Sequence, residues 1–287
     1  MYCGPLERMN KKIGIIAGQG RFPHLFARAA KEEGCRVVVV AHEGESLPDI
    51  ADLADRCYWV KLGQLGKIIK IFKEEEVSEA VFLGAITKTN IFSHIRPDLR
   101  GLALWSKIDR RHDDGILRAV ADELEKEGIK VVESTRYLTS LLFPKGVLSK
   151  KRPSNAQQND IRFGWEMAKA IGRLDIGQCV VVKDRTVLAV EAIEGTDAAI
   201  KRGGILAKKD AVVVKVKKPD QDFRFDVPAI GPNTIMSMQE VKATVLAVEA
   251  GQSLLFDQEA TIAAADKAGI VILGIEEDKQ GNPSFVF

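Results

Sequence analysis

The run KKIGIIAG at 11–18 constrains this fold more than any other stretch: it is a short apolar strand that ends in Gly18-Gln19-Gly20. FPHLFARAAKEEG after it reads as a helix stopped by Gly34, and RVVVVA as a second buried strand. Strand, loop, helix and strand in that order require a parallel pair joined by a right-handed crossover. The pattern continues with strand CYWV (57–60), helix QLGKIIKIFKEEE (64–76), strand EAVFLGA (79–85), helix GILRAVADELEKEG (115–128) and strand IKVVES (129–134). Strand ends therefore gather near Gly18, Ala41 and Gly84, where open parallel sheets bind ligands.

A dinucleotide fingerprint needs a third glycine three positions after Gly20, where Pro23 stands, and an acid after the second strand, where Ala41 and His42 are followed by Glu43, a weak substitute. NAD binding is disfavoured on both counts. A loop offering backbone N–H groups to a phosphate fits the same residues, and so does a plain tight turn. In the next loop Lys88 and Arg96 are candidate phosphate contacts. Asp113 and Asp114 precede a helix, where an aspartate most often caps; one of them is left to face a ligand.

From 144 to 155 the periodicity breaks around Pro144, Gly146 and Pro153, which reads as a linker. The expected organisation is a Rossmann-like parallel-sheet domain over 1–143, a linker over 144–155 and a mixed α+β catalytic domain over 156–287. In the second half QQNDIRFGWEMAKAIGRL is a helix, and QCVVVKDRTVLAVEAIEG a hairpin turning at Lys183-Asp184-Arg185. A short helix (197–202), strands AVVVKVKK (211–218) and TVLAVEAG (244–251), helix QEATIAAADKAG and strand IVILGI (270–275) complete it.

The stretch 191–232 packs the carboxylates Glu191, Glu194, Asp197, Asp222 and Asp226 among Lys217, Lys218 and Arg224. Spacing by three places Glu191, Glu194 and Asp197 on one side of a helical turn, and alternation places Asp222, Arg224 and Asp226 on one strand face. Carboxylates gathered in this way suit a hard cation such as magnesium, which keeps its waters and borrows phosphate oxygens. Two amphipathic segments with solvated acidic faces would give the same pattern.

Composition narrows the partners. A net charge of +2 on 287 residues excludes a strongly basic nucleic-acid binder. No apolar run reaches the roughly 18 residues of a membrane span, and MYCGPLERMNKK lacks the apolar centre of a signal peptide, so a cytoplasmic location is expected. Four scattered cysteines with no C-x-x-C pair, and four histidines without H-x-x-x-H spacing, leave any metal to oxygen ligands.

IIAGQGRFP, LGAITK, HDDGILRA, DIGQCVVV, VLAVEAIEGTDAAI and KKPDQDFRFDVPAIGPNTI followed by VEAG occur here in one order and spacing. In these the chain resembles LpxI, the UDP-2,3-diacylglucosamine pyrophosphatase family of lipid A biosynthesis, over nearly its whole length. The resemblance implies hydrolysis of UDP-2,3-diacylglucosamine to UMP and 2,3-diacylglucosamine 1-phosphate with Mg²⁺ (or Mn²⁺), a homodimer, and a substrate held between a Rossmann-like domain and a distinct C-terminal domain. It places the catalytic aspartate on Asp226, with Asp222 and Arg224 as neighbours, and leaves the metal ligands undivided among Asp226, Glu191, Glu194 and Asp197. Substrate contacts are expected from Gly18, Gln19, Gly20, Gly84, Lys88, Asp114, Gly195, Thr196 and Lys218. Membrane contact, where the acylated substrate resides, is then peripheral. The competing readings are an NAD(P)-dependent oxidoreductase and a non-catalytic nucleotide-binding regulator.

Overall fold

In a computed structural model of the chain, which describes residues 11–86, 96–105, 115–278 and 280–287, the KIGIIA run forms β1 (Lys12–Ala17), buried beyond its first residue. A strand apolar on both faces belongs in the middle of a parallel sheet. Here β2 (Arg36–His42), β3 (Arg56–Val60), β4 (Glu79–Leu83) and β5 (Lys130–Val131) join it, all parallel, in the order β3-β2-β1-β4-β5. The connecting helices are α1 (Phe22–Glu32), α2 (Leu65–Glu74), α3 (Leu99–Trp105) and α4 (Gly115–Lys126). Ile69 and Phe72 of α2 and Leu124 of α4 share one core with Ile16, Val38 and Val40 of the sheet. The expected Rossmann-like layout is therefore present, and the strand order reverses beside β1.

At that reversal the loops after β1 and β4 are sewn together. Gly18 N donates to Leu83 O at 2.8 Å and Gln19 N to Ala85 O at 2.7 Å. A Cβ on Gly18 would stand 2.4 Å from Ala85 O, and one on Gly84, whose φ is +85°, 2.3 Å from Gln19 O. Both glycines are required by backbone meeting backbone. Beside this seam His42, buried at the end of β2, uses Nδ1 to donate to Ala17 O at 2.9 Å. Ser46 Oγ donates to the same carbonyl at 2.7 Å and accepts from His42 N at 2.9 Å.

The first unit runs to Thr139 and also takes in Asp222–Asp226; Ser140–Gln221 and Val227–Phe287 make the second. The IKVVES strand is shorter than its apolar pattern implies, because the chain leaves the ladder to bind the returning segment. Val132 N still reaches Ala80 O at 2.9 Å, but Ser134 N and Oγ both donate to Phe223 O, at 3.0 and 2.9 Å.

The second unit contains β6 (Gly146–Val147), β7 (Cys179–Lys183), β8 (Thr186–Val190), β9 (Val212–Lys215), β10 (Ala229–Ile230), β11 (Val245–Glu249), β12 (Leu254–Leu255), β13 (Val271–Glu277) and β14 (Pro283–Ser284). Its main sheet has the order β14-β13-β11-β9-β7-β8, with β6 on β13, and β10 pairs with β12. Strands β9, β11 and β13 are parallel, whereas β7 runs against β9 and β8 against β7, so the sheet is mixed. Helix α5 (Asn155–Arg173) covers one face through Ile161, Trp165 and Ala168. Helices α6 (Thr196–Ala207), α7 (Pro232–Glu240) and α8 (Gln258–Ala268) cover the other through Ile200, Ile235, Met238 and Ala265. The β7–β8 hairpin turns at Asp184 and Arg185, with φ of 50° and 56°, and the buried Asp160 carboxylate accepts both of their N–H groups.

The stretch 144–155, read as a linker, contains β6. Val147 pairs with Leu273, Leu148 N donates to Ile272 O at 2.9 Å, and Ile272 N donates back to Ser149 Oγ at 2.9 Å. Proline and glycine there mark irregular backbone, while the apolar Val147 and Leu148 between them pack on the cores of this unit.

Two outcomes are expected. Gly18→Ala should lower unfolding free energy in urea by about 1–3 kcal/mol, since a backbone carbonyl cannot step aside; a loss under ~0.5 kcal/mol would mean that the seam relaxes. Burial pushes the His42 pKa below its ordinary value of 6.5, against the weaker pull of the Ala17 hydrogen bond and Glu45. Below that pH the unfolded chain binds a proton that the folded chain refuses, so this stability is complete above the unfolded pKa and lost as pH falls through it. Stability should fall between about pH 7 and pH 5, by at most ~1.4 kcal/mol per pH unit from this group, and His42→Asn should flatten the slope. Identical slopes in the two proteins would rule His42 out as the source.

Candidate active site

The segment 222–226, expected as a strand face, is a tight turn. Phe225 N and Asp226 N both donate to Asp222 O, at 3.0 and 3.1 Å, and the Asp222 carboxylate accepts from Arg224 N at 3.0 Å. An aspartate that bonds its own downstream backbone competes with extended structure, which alternation alone does not register. Phe225 anchors the turn against Phe82 of β4, with ring centroids 5.6 Å apart.

Charge organises the turn's surface. Arg224 Nη2 lies 2.8 Å and Arg118 Nη1 3.2 Å from Asp222 Oδ2, and Arg224 Nη1 reaches Glu125 Oε1 at 3.3 Å. Burial works to raise the Asp222 pKa; the bonds from Arg224 outweigh it and hold the carboxyl below its usual range. Asp222 and Arg224 are thus brought together as a pair that shapes the turn, and Asp226 stands exposed where the turn ends.

In the second unit the carboxyl edge of the parallel strands collects its own charges. Glu191, just past β8, is 6% exposed and accepts from Thr196 Oγ1 at 2.7 Å. Thr196 opens α6 behind Gly195, whose φ is 84°. Lys215, the last residue of β9 and 4% exposed, donates to Thr196 Oγ1 and to Ala229 O, each at 3.0 Å. Burial, then the neighbouring Glu191 charge, push the thiol of Cys179 well above its ordinary range, with Lys215 opposing. At the ends of β11 and β13, Lys169 bridges Glu249 and Glu277 at 2.8 and 3.0 Å.

Glu191, Glu194 and Asp197 do not line one helical turn. The backbone through 191–195 is irregular, so Glu194 faces Arg202 at 2.6 Å while Glu191 is enclosed and Asp197 sits exposed in the first turn of α6. The Arg202 hydrogen bond holds the Glu194 carboxyl below its ordinary range. Among the described residues no group of three or more His, Cys, Asp or Glu side chains is placed to hold a metal ion. Lys218 pairs with Asp175 at 2.6 Å. At the β1–β4 seam Gly18, Gln19 and Gly84 do meet, but the N–H groups of Gly18 and Gln19 are engaged there; Gln19 and Gly20 remain exposed. Lys88 and Asp114 lie outside the described residues.

The residue that sequence reasoning passed over is Lys215. Its signal was present: a single cation inside the otherwise unbroken apolar run AVVVKV.

Residues 12–141 match the LpxI N-terminal domain and residues 144–273 the LpxI C-terminal domain. The UDP-2,3-diacylglucosamine pyrophosphatase LpxI of Caulobacter vibrioides is 35% identical over 283 residues, which are 94% of this chain and 99% of that protein. Among solved structures, a multifunctional pyruvate carboxylase from Rhizobium etli is 16% identical with a TM-score of 0.27, over 50% of this chain and 15% of its own. The ADP complex of an N5-carboxyaminoimidazole ribonucleotide synthetase is 20% identical with a TM-score of 0.27, over 60% of this chain and 32% of its own. The chain thus spans a third or less of either structure, and scores that low carry no argument. The domain matches and the full-length relative do: this chain belongs to the LpxI family.

Proposed function

We propose that this chain hydrolyses the pyrophosphate bond of UDP-2,3-diacylglucosamine, giving UMP and 2,3-diacylglucosamine 1-phosphate, with Mg²⁺ or Mn²⁺ as cofactor. The observation that carries the reading is the 35% identity to a relative of that name across 94% of the chain. In the reaction water adds its oxygen to one phosphorus, the bridging oxygen leaves with its electron pair on the other phosphate, and a proton is released.

Asp226 has the chemistry for this step. An exposed carboxylate next to a paired arginine can orient the attacking water and accept its proton. Pro228 restricts Val227 to extended backbone, which limits the freedom of Asp226 before it. The donor set also bears on the metal. Glu191 is enclosed with Thr196, and Glu194 is bound to Arg202, so neither fits a cation. Asp226 fits, because Mg²⁺ binds through one or two carboxylates when substrate phosphates complete its shell. When bound, the ion supplies neutralising charge to the phosphates. A homodimer and peripheral membrane contact belong to the same reading; no helix among the described residues is long and apolar enough to cross a membrane.

Incubation with UDP-2,3-diacylglucosamine and Mg²⁺ should release UMP, and excess EDTA should abolish it. No UMP would overturn the activity, and full turnover in EDTA the metal. Asp226→Asn should lower kcat by at least ~100-fold while melting temperature and substrate binding stay near wild type. Near-normal turnover would remove Asp226 from the catalytic centre.

A further inference from the structure

We propose that the amino edge of the second unit's parallel strands is a docking surface for a bilayer with acidic headgroups. This surface serves the peripheral membrane contact of the reading given above, on which it rests, and every residue involved belongs to the second unit. Val212 of β9 pairs with Val182 of β7 and with Val245 of β11, so the starts of β9 and β11 share one edge with the β7–β8 hairpin turn. Helix α6 ends there: Lys183 Nζ donates to Ala207 O at 3.1 Å and to Lys209 O at 3.0 Å. The chain after α7 is tied to the same place, since Asp210 N donates to Lys242 O at 2.8 Å.

Three of the cations on this edge stand where the backbone favours glycine. Arg185, Lys208 and Lys242 have φ of 56°, 65° and 55°. Left-handed backbone crowds a Cβ, and glycine or asparagine usually fills it after a helix or in a two-residue hairpin turn. Of the eight non-glycine residues with positive φ among those described, five lie here, Asp184 and Asp210 being the other two. Aspartate tolerates this conformation through its short polar side chain; a long cation has no such local reward. The dipole of α6 favours Lys208 and Lys209 at its end, yet Arg185 sits in a hairpin turn, not at a helix end.

These charges are not spent within the fold. Lys209 has Asp210 at 3.8 Å, whereas Arg185, Lys208 and Lys242 are exposed and form no ion pair among the described residues. The whole chain carries a net charge of only +2, so this edge is electropositive well beyond the rest. Ile205 and Leu206 then select the kind of anion. They occupy the last turn of α6, 71% and 61% exposed, directly before Lys208 and Lys209. A phosphodiester chain offers nothing to two bare aliphatic side chains. The headgroup boundary of an acidic bilayer takes both, apolar side chains below and cations above.

The test is co-sedimentation of the whole chain with phosphatidylcholine vesicles, with and without about one third phosphatidylglycerol. Binding to the acidic vesicles should be at least ~10-fold tighter than to the neutral ones, and should fall as salt rises. Arg185→Gly combined with Lys208→Gly and Lys242→Gly should weaken it at least ~10-fold while melting temperature holds or rises. Ile205→Ser with Leu206→Ser, the cations intact, should weaken it at least ~3-fold. Equal binding to both vesicles, or wild-type binding by the glycine variant, overturns the proposal. Wild-type binding by the serine variant also overturns it and leaves a polyanion such as nucleic acid as the occupant. So does self-association that the glycine variant loses in sedimentation equilibrium, since the face then meets a second copy. Where the glycine variant melts lower, Arg185→Gln with Lys208→Gln and Lys242→Gln keeps a side chain at each position, and wild-type binding by that variant overturns the proposal. UMP release is read separately on detergent-dispersed substrate: its absence in wild type defeats the functional reading, and vesicle binding still decides the docking surface.

Discussion

No side chain fits where the loops after β1 and β4 cross, and the first unit is arranged around that contact. Gly18 and Gly84 bring two backbones within hydrogen-bonding distance at the point where strand order reverses. In open parallel sheets ligands bind at such a reversal, outside the carboxyl ends of the strands, and the seam lies at that end. The consequence is chemical. A glycine-rich loop is read as a phosphate cradle because its N–H groups are free to point outward. Here two of those groups face the neighbouring loop, while Gln19 and Gly20 are exposed.

The same unit receives a piece of chain from far along the sequence. The turn at 222–226 is held by an aromatic contact below, Phe225 on Phe82, and by a carboxylate that folds back on its own backbone. Aromatic burial is strong and largely insensitive to salt, whereas the ion pairs above it are partly exposed and individually weak. Phe225 therefore supplies most of the anchoring, and the Asp222–Arg224 pair supplies the shape. The position of Asp226 inherits both.

Much of the fold was legible because it rests on periodicity. The runs KIGIIA, RVVVVA and VILGI announce buried parallel strands, and Asp184-Arg185 lies where the hairpin turns. The misreadings share one cause, a side chain or carbonyl that captures the backbone from a distance. Phe223 O takes Ser134 out of the IKVVES strand, and Asp222 curls an alternating segment into a turn. Within the 144–155 stretch, β6 is not legible from its neighbours because its pairing partners, Ile272 and Leu273, lie more than a hundred residues away. For the site, the sequence grouped charges by spacing, but partners are chosen in space. Glu191 went to Thr196 and Glu194 to Arg202, and the cation between Glu191 and the 228–230 segment was the unremarked Lys215.

Charge accounting around Asp226 carries the mechanistic argument one step further. In the turn that leads to Asp226, Arg224 faces Asp222 and Glu125, and Arg118 faces Asp222, within 3.3 Å. Among the described residues both guanidinium groups are thus engaged by carboxylates of the turn and of α4. In the proposed reaction a pyrophosphate diester would bring negative oxygens to this surface, and a carboxylate that orients water would repel them further. Coulomb repulsion between unit charges 4 Å apart is about 4 kcal/mol at an effective dielectric of ~20, too large to leave uncompensated in a reaction that builds charge on the leaving phosphate. Rearranging the arginines does not solve it, because drawing Arg224 toward substrate strips Asp222 of the partner that shapes the turn. In the proposed reaction a divalent cation arriving with the phosphates would solve it without disturbing the turn, since a hard ion that keeps its waters needs few protein ligands. In the proposed reaction the turn would keep its own ion pairs, and the added positive charge would come with the cation.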